Sequence, residues 1–215
     1  RSFNPAVGFR NSLIISIGST ALAVYFSSLT AYALVAYDWK LRQPFFSFIM
    51  CVMMIPAQVT TIGFYQMVYK IGMTNHLSML ILPAIASPTM VFFMRQYLQP
   101  TLSMEIVQSA RIDGAKEFMI FNRIVLPIMK PAIATQAIFC FVGSWNNLFM
   151  PSMILATDAK KTLPLFVQML RSDQFKTDYG VLYIGIAVTI LPIFIVYFIL
   201  SKYIVAGVAL GGVKE

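Results

Sequence analysis

Of the 215 residues, 59% are hydrophobic and 11% charged, against roughly 45–50% apolar and 25% charged in soluble domains. Together with a mean hydropathy of +0.76, that composition excludes an ordinary soluble globule and assigns the chain to a bilayer. The formal charge of +8 suits juxtamembrane anchoring, and because the basic residues are scattered among many loops no nucleic-acid partner is expected.

Charged side chains are costly at the bilayer centre, so the gaps between them mark the crossings. No charged residue lies between Arg10 and Asp38, Arg42 and Lys70, Lys130 and Asp158, or Asp178 and Lys202, and a shorter gap runs from His76 to Arg95. A helix needs roughly 20 apolar residues to cross. The pattern predicts an all-α polytopic bundle with spans at about 11–37, 43–69, 77–94, 131–157 and 179–201. Five such runs leave too little polar material for a soluble surface, and their continuity excludes barrel strands, which alternate over about 10 residues. Cys51 and Cys140 fall inside spans and say little about redox compartment. The chain opens on Arg rather than Met, so its natural start is expected to be missing, and because five spans put the ends on opposite sides a missing first helix would change the topology count.

Segment 95–130 is the long polar stretch. Ser103 is placed to cap a helix with Glu105 in its favourable first turn, and Gly114 supplies the backbone freedom to end it. Asp113 can stop that helix and cap a second carrying Phe118, Phe121 and Ile124 on one side, with Pro127 and Pro131 launching the next span. Such a folded element suits docking; a helix lying among headgroups with Phe and Ile down is the alternative. Strict alternation puts the 38–42 turn, 95–130 and the tail after Lys202 on one side, which carries nine Lys and Arg against seven on the other and so favours it as cytoplasmic.

Residues 105–131 resemble the cytoplasmic coupling loop of the permease subunits of binding-protein-dependent ABC importers. Gln108-Ser109-Ala110 stands where those permeases carry Glu-Ala-Ala, and Asp113-Gly114-Ala115 and Ile124-Val125-Leu126-Pro127 follow at the same spacing. Gln108 and Ser109 depart from the usual Glu and Ala, which removes one carboxylate available to the ATPase. Ser144-Trp145-Asn146-Asn147-Leu148-Phe149 resembles the Trp-Asn-Asp segment of the carbohydrate branch, and Gly211-Gly212-Val213-Lys214 the tail of the second permease in maltose-type importers. Arg10-Asn11-Ser12-Leu13 and Thr30-Ala31-Tyr32-Ala33 are similar to parts of the family's second helix.

The resemblance covers nearly the whole chain. It implies the type I importer permease fold, a single transmembrane domain over 1–215 with the spans above as helices two to six of a six-helix subunit, and residence in a bacterial-type inner membrane with 95–130 and the tail cytoplasmic. It implies as partners two ATPase subunits, an extracytoplasmic solute-binding protein and a second permease in a heterodimer. ATPase coupling would fall to Glu105, Gln108, Ser109, Ala110, Arg111, Ile112, Asp113, Gly114, Ala115, Glu117 and Phe118, with Ile112, Gly114, Ala115 and Phe118 packing and Arg111, Asp113 and Glu117 orienting. Segment 158–178 would dock the binding protein, or else be an ordinary interfacial helix.

This chain is expected to hold no cofactor and to perform no chemistry. A phosphate loop needs Gly, four residues, then Gly-Lys-Ser/Thr, whereas Gly207 to Gly212 continues with Val213-Lys214, so ATP and magnesium belong to the partner ATPase. Polar and aromatic residues at span depth, Tyr32, Gln58, Tyr65, Gln66, Trp145, Asn146 and Asn147, are candidates for a sugar pathway, because amides offer donors and acceptors and rings stack on sugars. The same residues can instead bond neighbouring helices. Two other classes compete. An ion-gradient carrier relies on intramembrane ionisable groups, absent from the four long spans, and an intramembrane enzyme needs a catalytic pair, also absent.

Overall fold

In the computed structural model, residues 4–172 and 179–211 are described, and these form helices and turns without strands. The all-α expectation holds. The elements are α1 (Pro5–Ala36), α2 (Arg42–Met53), α3 (Ala57–Lys70), α4 (Ser78–Ile81) running into a 3-10 turn Leu82–Ile85, α5 (Pro88–Thr101), α6 (Met104–Ile112), α7 (Glu117–Ile120), a π-helical stretch Phe121–Val125, α8 (Leu126–Ile128), α9 (Lys130–Trp145), α10 (Phe149–Ile154), α11 (Leu163–Ser172) and α12 (Tyr179–Gly211).

Among the described residues, three helices are long and apolar enough to cross a membrane: Pro5–Ala36, Ser78–Thr101 and Leu182–Tyr203. Two pairs, Arg42–Met53 with Ala57–Lys70 and Glu117–Ile128 with Lys130–Trp145, reach that length only together around a break. The span expected over 43–69 is therefore interrupted. Pro56 carries no N–H and disfavours helix at Ile55, and it sits in extended geometry as the N-cap of α3. The 131–157 helix likewise ends at Trp145 and restarts at Phe149, where the Asn147 side chain accepts the Met150 N–H at 3.3 Å. Pro88 begins α5 at a position that favours proline. Pro192 lies inside α12.

At the start of α1, Asn4 accepts the Ala6 N–H at 3.0 Å and Pro5 follows as the first helical residue, an N-cap that the sequence chemistry dictates. Along the helix Ser12, Ser16, Ser19, Ala23, Ser27 and Ala31 recur every three or four residues and are all buried. Small side chains at that spacing let neighbouring backbones approach closely in a membrane.

The chain divides into two compact units, one of Arg1–Leu22, Pro56–Ala84 and Ile138–Ile199, the other of Ala23–Ile55, Ile85–Ala137 and Leu200–Glu215. In the first, Phe141, Trp145 and Leu163 pack with Phe9, Leu13, Phe166, Ile193 and Val196, while Val68, Met79, Ile154 and Leu155 pack with Phe64 and Tyr65. Asn11, 1% exposed, donates to the carbonyls of Ala159 and Lys161, both at 3.0 Å, and Ser12 accepts the Leu163 N–H at 2.9 Å. Asn75, at a left-handed φ of 64°, accepts from the Ala156 and Thr157 amides at 3.2 Å.

Removing Asn11 leaves two carbonyls without their donor, at about 1–3 kcal/mol for each group left unsatisfied. Asn11→Leu is expected to lower the detergent-solubilised melting temperature clearly while Asn4→Leu, at an exposed cap, lowers it less; equal shifts would refute the anchoring role.

In the second unit, Leu34, Ile49 and Val91 form a core with Phe46. Leu98, Leu102, Val107, Ile120, Phe121, Val125 and Met129 are also buried, and they seat the 95–130 segment.

Candidate functional site

The segment from α6 to α8 is a folded element built around one glycine. Gly114 has φ +80°, and α6 ends in paired closing bonds, Ala115 N–H to Ala110 C=O and Gly114 N–H to Arg111 C=O, both 3.0 Å. This is a Schellman cap with glycine at the left-handed position. Ser103 occupies the expected N-cap of α6, but its side chain makes no capping bond. The expected cap of the second helix by Asp113 is corrected: Lys116 holds that position, in extended geometry, because the turn spends Asp113 and Gly114 in closing α6.

Arg111 lies in the last turn of α6 and Glu117 opens α7, each where the helix dipole favours its charge. They meet across the glycine turn, Arg111 Nε donating to Glu117 Oε1 at 2.6 Å. The other carboxylate oxygen accepts two phenols, Tyr32 at 2.9 Å and Tyr37. The Arg111 guanidinium stands 5.3 Å from the centre of the Tyr37 ring, and Tyr32 contacts both Tyr37 and Phe121. The Arg111 bond foremost, with those from Tyr37 and Tyr32, holds the Glu117 carboxyl down at about 2 although partial burial opposes the shift.

A carboxyl whose folded pKa is depressed stabilises the fold above its ordinary value of 4.5 and loses that contribution as pH falls toward about 2. The difference in melting temperature between the native chain and Glu117→Gln is therefore expected to be largest above pH 4.5 and to vanish toward pH 2. A difference that stays constant through that window would show that the carboxylate charge is not what holds the turn.

The remaining expected residues face outward. Ile112 is 86% and Phe118 66% exposed, and Glu105, Gln108, Ser109, Asp113 and Gly114 are exposed beside them. Ala110 and Ala115 are half-buried. Arg111 and Glu117, expected to orient a partner, bond to each other within the element while staying 34% and 42% exposed. The segment thus presents an apolar tip on an internally clamped turn. Just after α7, Pro127 lacks the N–H that would bond to Arg123 and its ring would crowd that carbonyl, and the π-helical stretch Phe121–Val125 lies at that point.

Of the pathway candidates, Tyr32 is buried and bound to Glu117, and Trp145 is buried with its indole N–H on the Thr189 carbonyl at 2.9 Å. Gln58, Gln66 and Asn146 are exposed, and Tyr65 and Asn147 half-buried. Asn147 lines a cavity of about 190 Å³ with Ser12, Ser144 and Thr162. Tyr37 was not anticipated: its partner stands 80 residues away, a distance over which no local pattern signals. In segment 158–178, residues 173–178 lie outside the described residues, as do 212–215 of the glycine-rich tail; Lys161 pairs with Asp158 at 2.7 Å.

Residues 23–210 match the family described as binding-protein-dependent transport system inner membrane component. The arabinooligosaccharides transport system permease protein AraQ of Halalkalibacterium halodurans is 39% identical over 96% of this chain and 73% of its own length. The lactose transport system permease protein LacG of Rhizobium radiobacter is 32% identical over 96% of this chain and 74% of its own. Among solved structures, a bacterial ABC transporter involved in the import of the acidic polysaccharide alginate superposes with a TM-score of 0.79 over 92% of this chain and 74% of that one, at 23% identity.

Proposed function

The chain belongs to the binding-protein-dependent transport system inner membrane components and is a permease of an ABC importer for carbohydrate, and on that premise we propose that it forms half of a translocation pathway driven by partner ATPases gripping its 95–130 loop. The observation that carries the coupling role is the exposure of both Ile112 and Phe118 on either side of a turn held shut by Arg111 and Glu117. A clamped, apolar-tipped turn moves as one body when its tip is pulled, which suits an interface-driven switch between access states.

In this reading ATP and magnesium are bound by two ATPase subunits, a second permease supplies the other half of the pathway, and an extracytoplasmic binding protein delivers the sugar. The loop and C-terminal tail are cytoplasmic, in keeping with the nine-to-seven charge bias. Taking α2 with α3 and α9 with α10 as one crossing each, beside α1, the helix of α4 and α5, and α12, gives five, with 117–128 left in the loop. Breaks in a helix at membrane depth are tolerated where the freed backbone is buried in protein or lines a wet cavity, and the Asn146–Leu148 break borders the cavity of Ser12, Ser144, Asn147 and Thr162. At about 30 Å³ for each water, that space holds a few waters between those polar groups and an apolar wall that includes Ile15, Met79 and Leu80. The names of the relatives favour an oligosaccharide or disaccharide as solute. The four long spans hold no Asp, Glu, Lys, Arg or His, which counts against the ion-driven carrier.

Co-purification of the chain with its ATPase, followed by ATP hydrolysis in proteoliposomes with and without sugar-loaded binding protein, tests the reading. Association and sugar-dependent stimulation are expected. Gradient-driven uptake with no bound ATPase would overturn it.

A further inference from the structure

We propose that the paired arginines Arg42 and Arg95, with the apolar groove leading away from them between α2 and α5, form a binding site for one anionic phospholipid. Arg95 ends the uncharged run of α5 and is only 9% exposed. Its Nε is buried with no acceptor, and its Nη1 has one long bond, 3.4 Å, to Gln96 beside it in sequence. The guanidinium lies 4.0 Å from the centre of the Phe46 ring, which stabilises a cation without neutralising it.

Arg42 opens α2 one turn before Phe46, and its charge is close enough to repel Arg95. Arg42 itself makes a 3.4 Å bond to the Tyr37 carbonyl. Among the described residues no carboxylate comes within 4 Å of either arginine; the ion pairs there are Arg111 with Glu117 and Lys161 with Asp158. Two cations side by side, one buried, lack the anion that would offset their desolvation and mutual repulsion.

The surroundings select the form of that anion. From the arginines, α2 and α5 run side by side through Phe46 stacked on Phe92 and through Ile49 and Val91. Beyond lies an apolar groove of about 340 Å³ lined by Phe45, Phe48, Ile49, Val52, Pro88 and Val91. A cationic head joined to an apolar trough matches a phosphodiester with its acyl chain, whereas free phosphate would use only the head. Trp39, exposed and against Phe45 at the same end, is a residue type favoured at the membrane interface, and basic pockets between helices on the cytoplasmic side hold anionic headgroups. Only the choice of leaflet rests on the orientation proposed above.

The test is native mass spectrometry of the assembled importer released from bilayers of phosphatidylglycerol and phosphatidylethanolamine, read without any transport assay so that failure of the coupling reading leaves it intact. The native complex is expected to retain phosphatidylglycerol selectively. Arg42→Gln should cut retention about fivefold, the worth of one arginine at a membrane surface, and Arg95→Lys, which keeps the charge and the fold, should cut it less than Arg95→Gln. Millimolar inorganic phosphate should not displace the lipid. Equal retention in Arg42→Gln, equal retention of the zwitterionic lipid, displacement by phosphate, or a native complex carrying no lipid because a partner's acid fills the pair would each overturn the proposal.

Discussion

Gly114→Leu is expected to leave the chain inserted and assembled in the membrane yet reduce sugar uptake to background. No atom lies within 4 Å of where a Cβ would stand, so the substitution causes no clash. Its cost is backbone strain, about 1–2 kcal/mol for a side-chain-bearing residue in left-handed geometry. That is too little to unfold the buried residues beneath the loop but enough to open the closing bonds of α6, which set the direction of Ile112 against Phe118. Asn tolerates that geometry better than most, so Gly114→Asn should keep a substantial part of the uptake. The ordering Gly, Asn, Ala, Leu, measured as uptake for each assembled complex in proteoliposomes, is the signature; wild-type uptake by Gly114→Leu would sink the coupling role of the turn.

Ile112→Asp and Phe118→Asp should each detach the ATPase. Both side chains are exposed in the chain by itself, so substitution there shifts fold stability by only about 0.5 kcal/mol. Apolar anchors buried at the centre of an interface carry about 2 kcal/mol or more each, roughly thirtyfold in affinity, and a carboxylate forced into the same pocket adds a desolvation cost. Titration of purified ATPase onto the immobilised permease reads the effect directly. Unchanged affinity with both substitutions would mean that the apolar tip faces lipid headgroups, the alternative that the sequence leaves open.

The Glu117 clamp separates these outcomes from a third. Arg111 and Glu117 read in the sequence as residues that could reach a partner, since both stand in a polar loop next to the glycine. Their charges are instead satisfied inside, by each other and by two phenols from the end of α1 and the residues after it.

Chain chemistry alone determined much here. The spacing of charges placed the apolar runs, because a charge in hydrocarbon is costly whatever the fold. Gly114 and the residues around it announced a helix end, because left-handed backbone is a local demand that only a few residues meet. Asn4-Pro5 likewise set the start of α1 by local capping. Those are short-range effects, and short-range effects are written in neighbouring letters.

Tertiary structure decided the rest. Whether Tyr32 served solute or loop depended on Glu117, 85 residues away. Trp145, one of the pathway candidates, proved to be a core residue bonded to Thr189. Apolar composition does not reveal where a helix breaks, because Pro56 ends one whereas Pro192 lies inside another. Arg42 and Arg95, without an ion-pair partner among the described residues, are likewise ordinary loop-edge cations until α2 and α5 bring them together. In each case the deciding energy belongs to a contact between distant segments, and it exists only once the chain has packed.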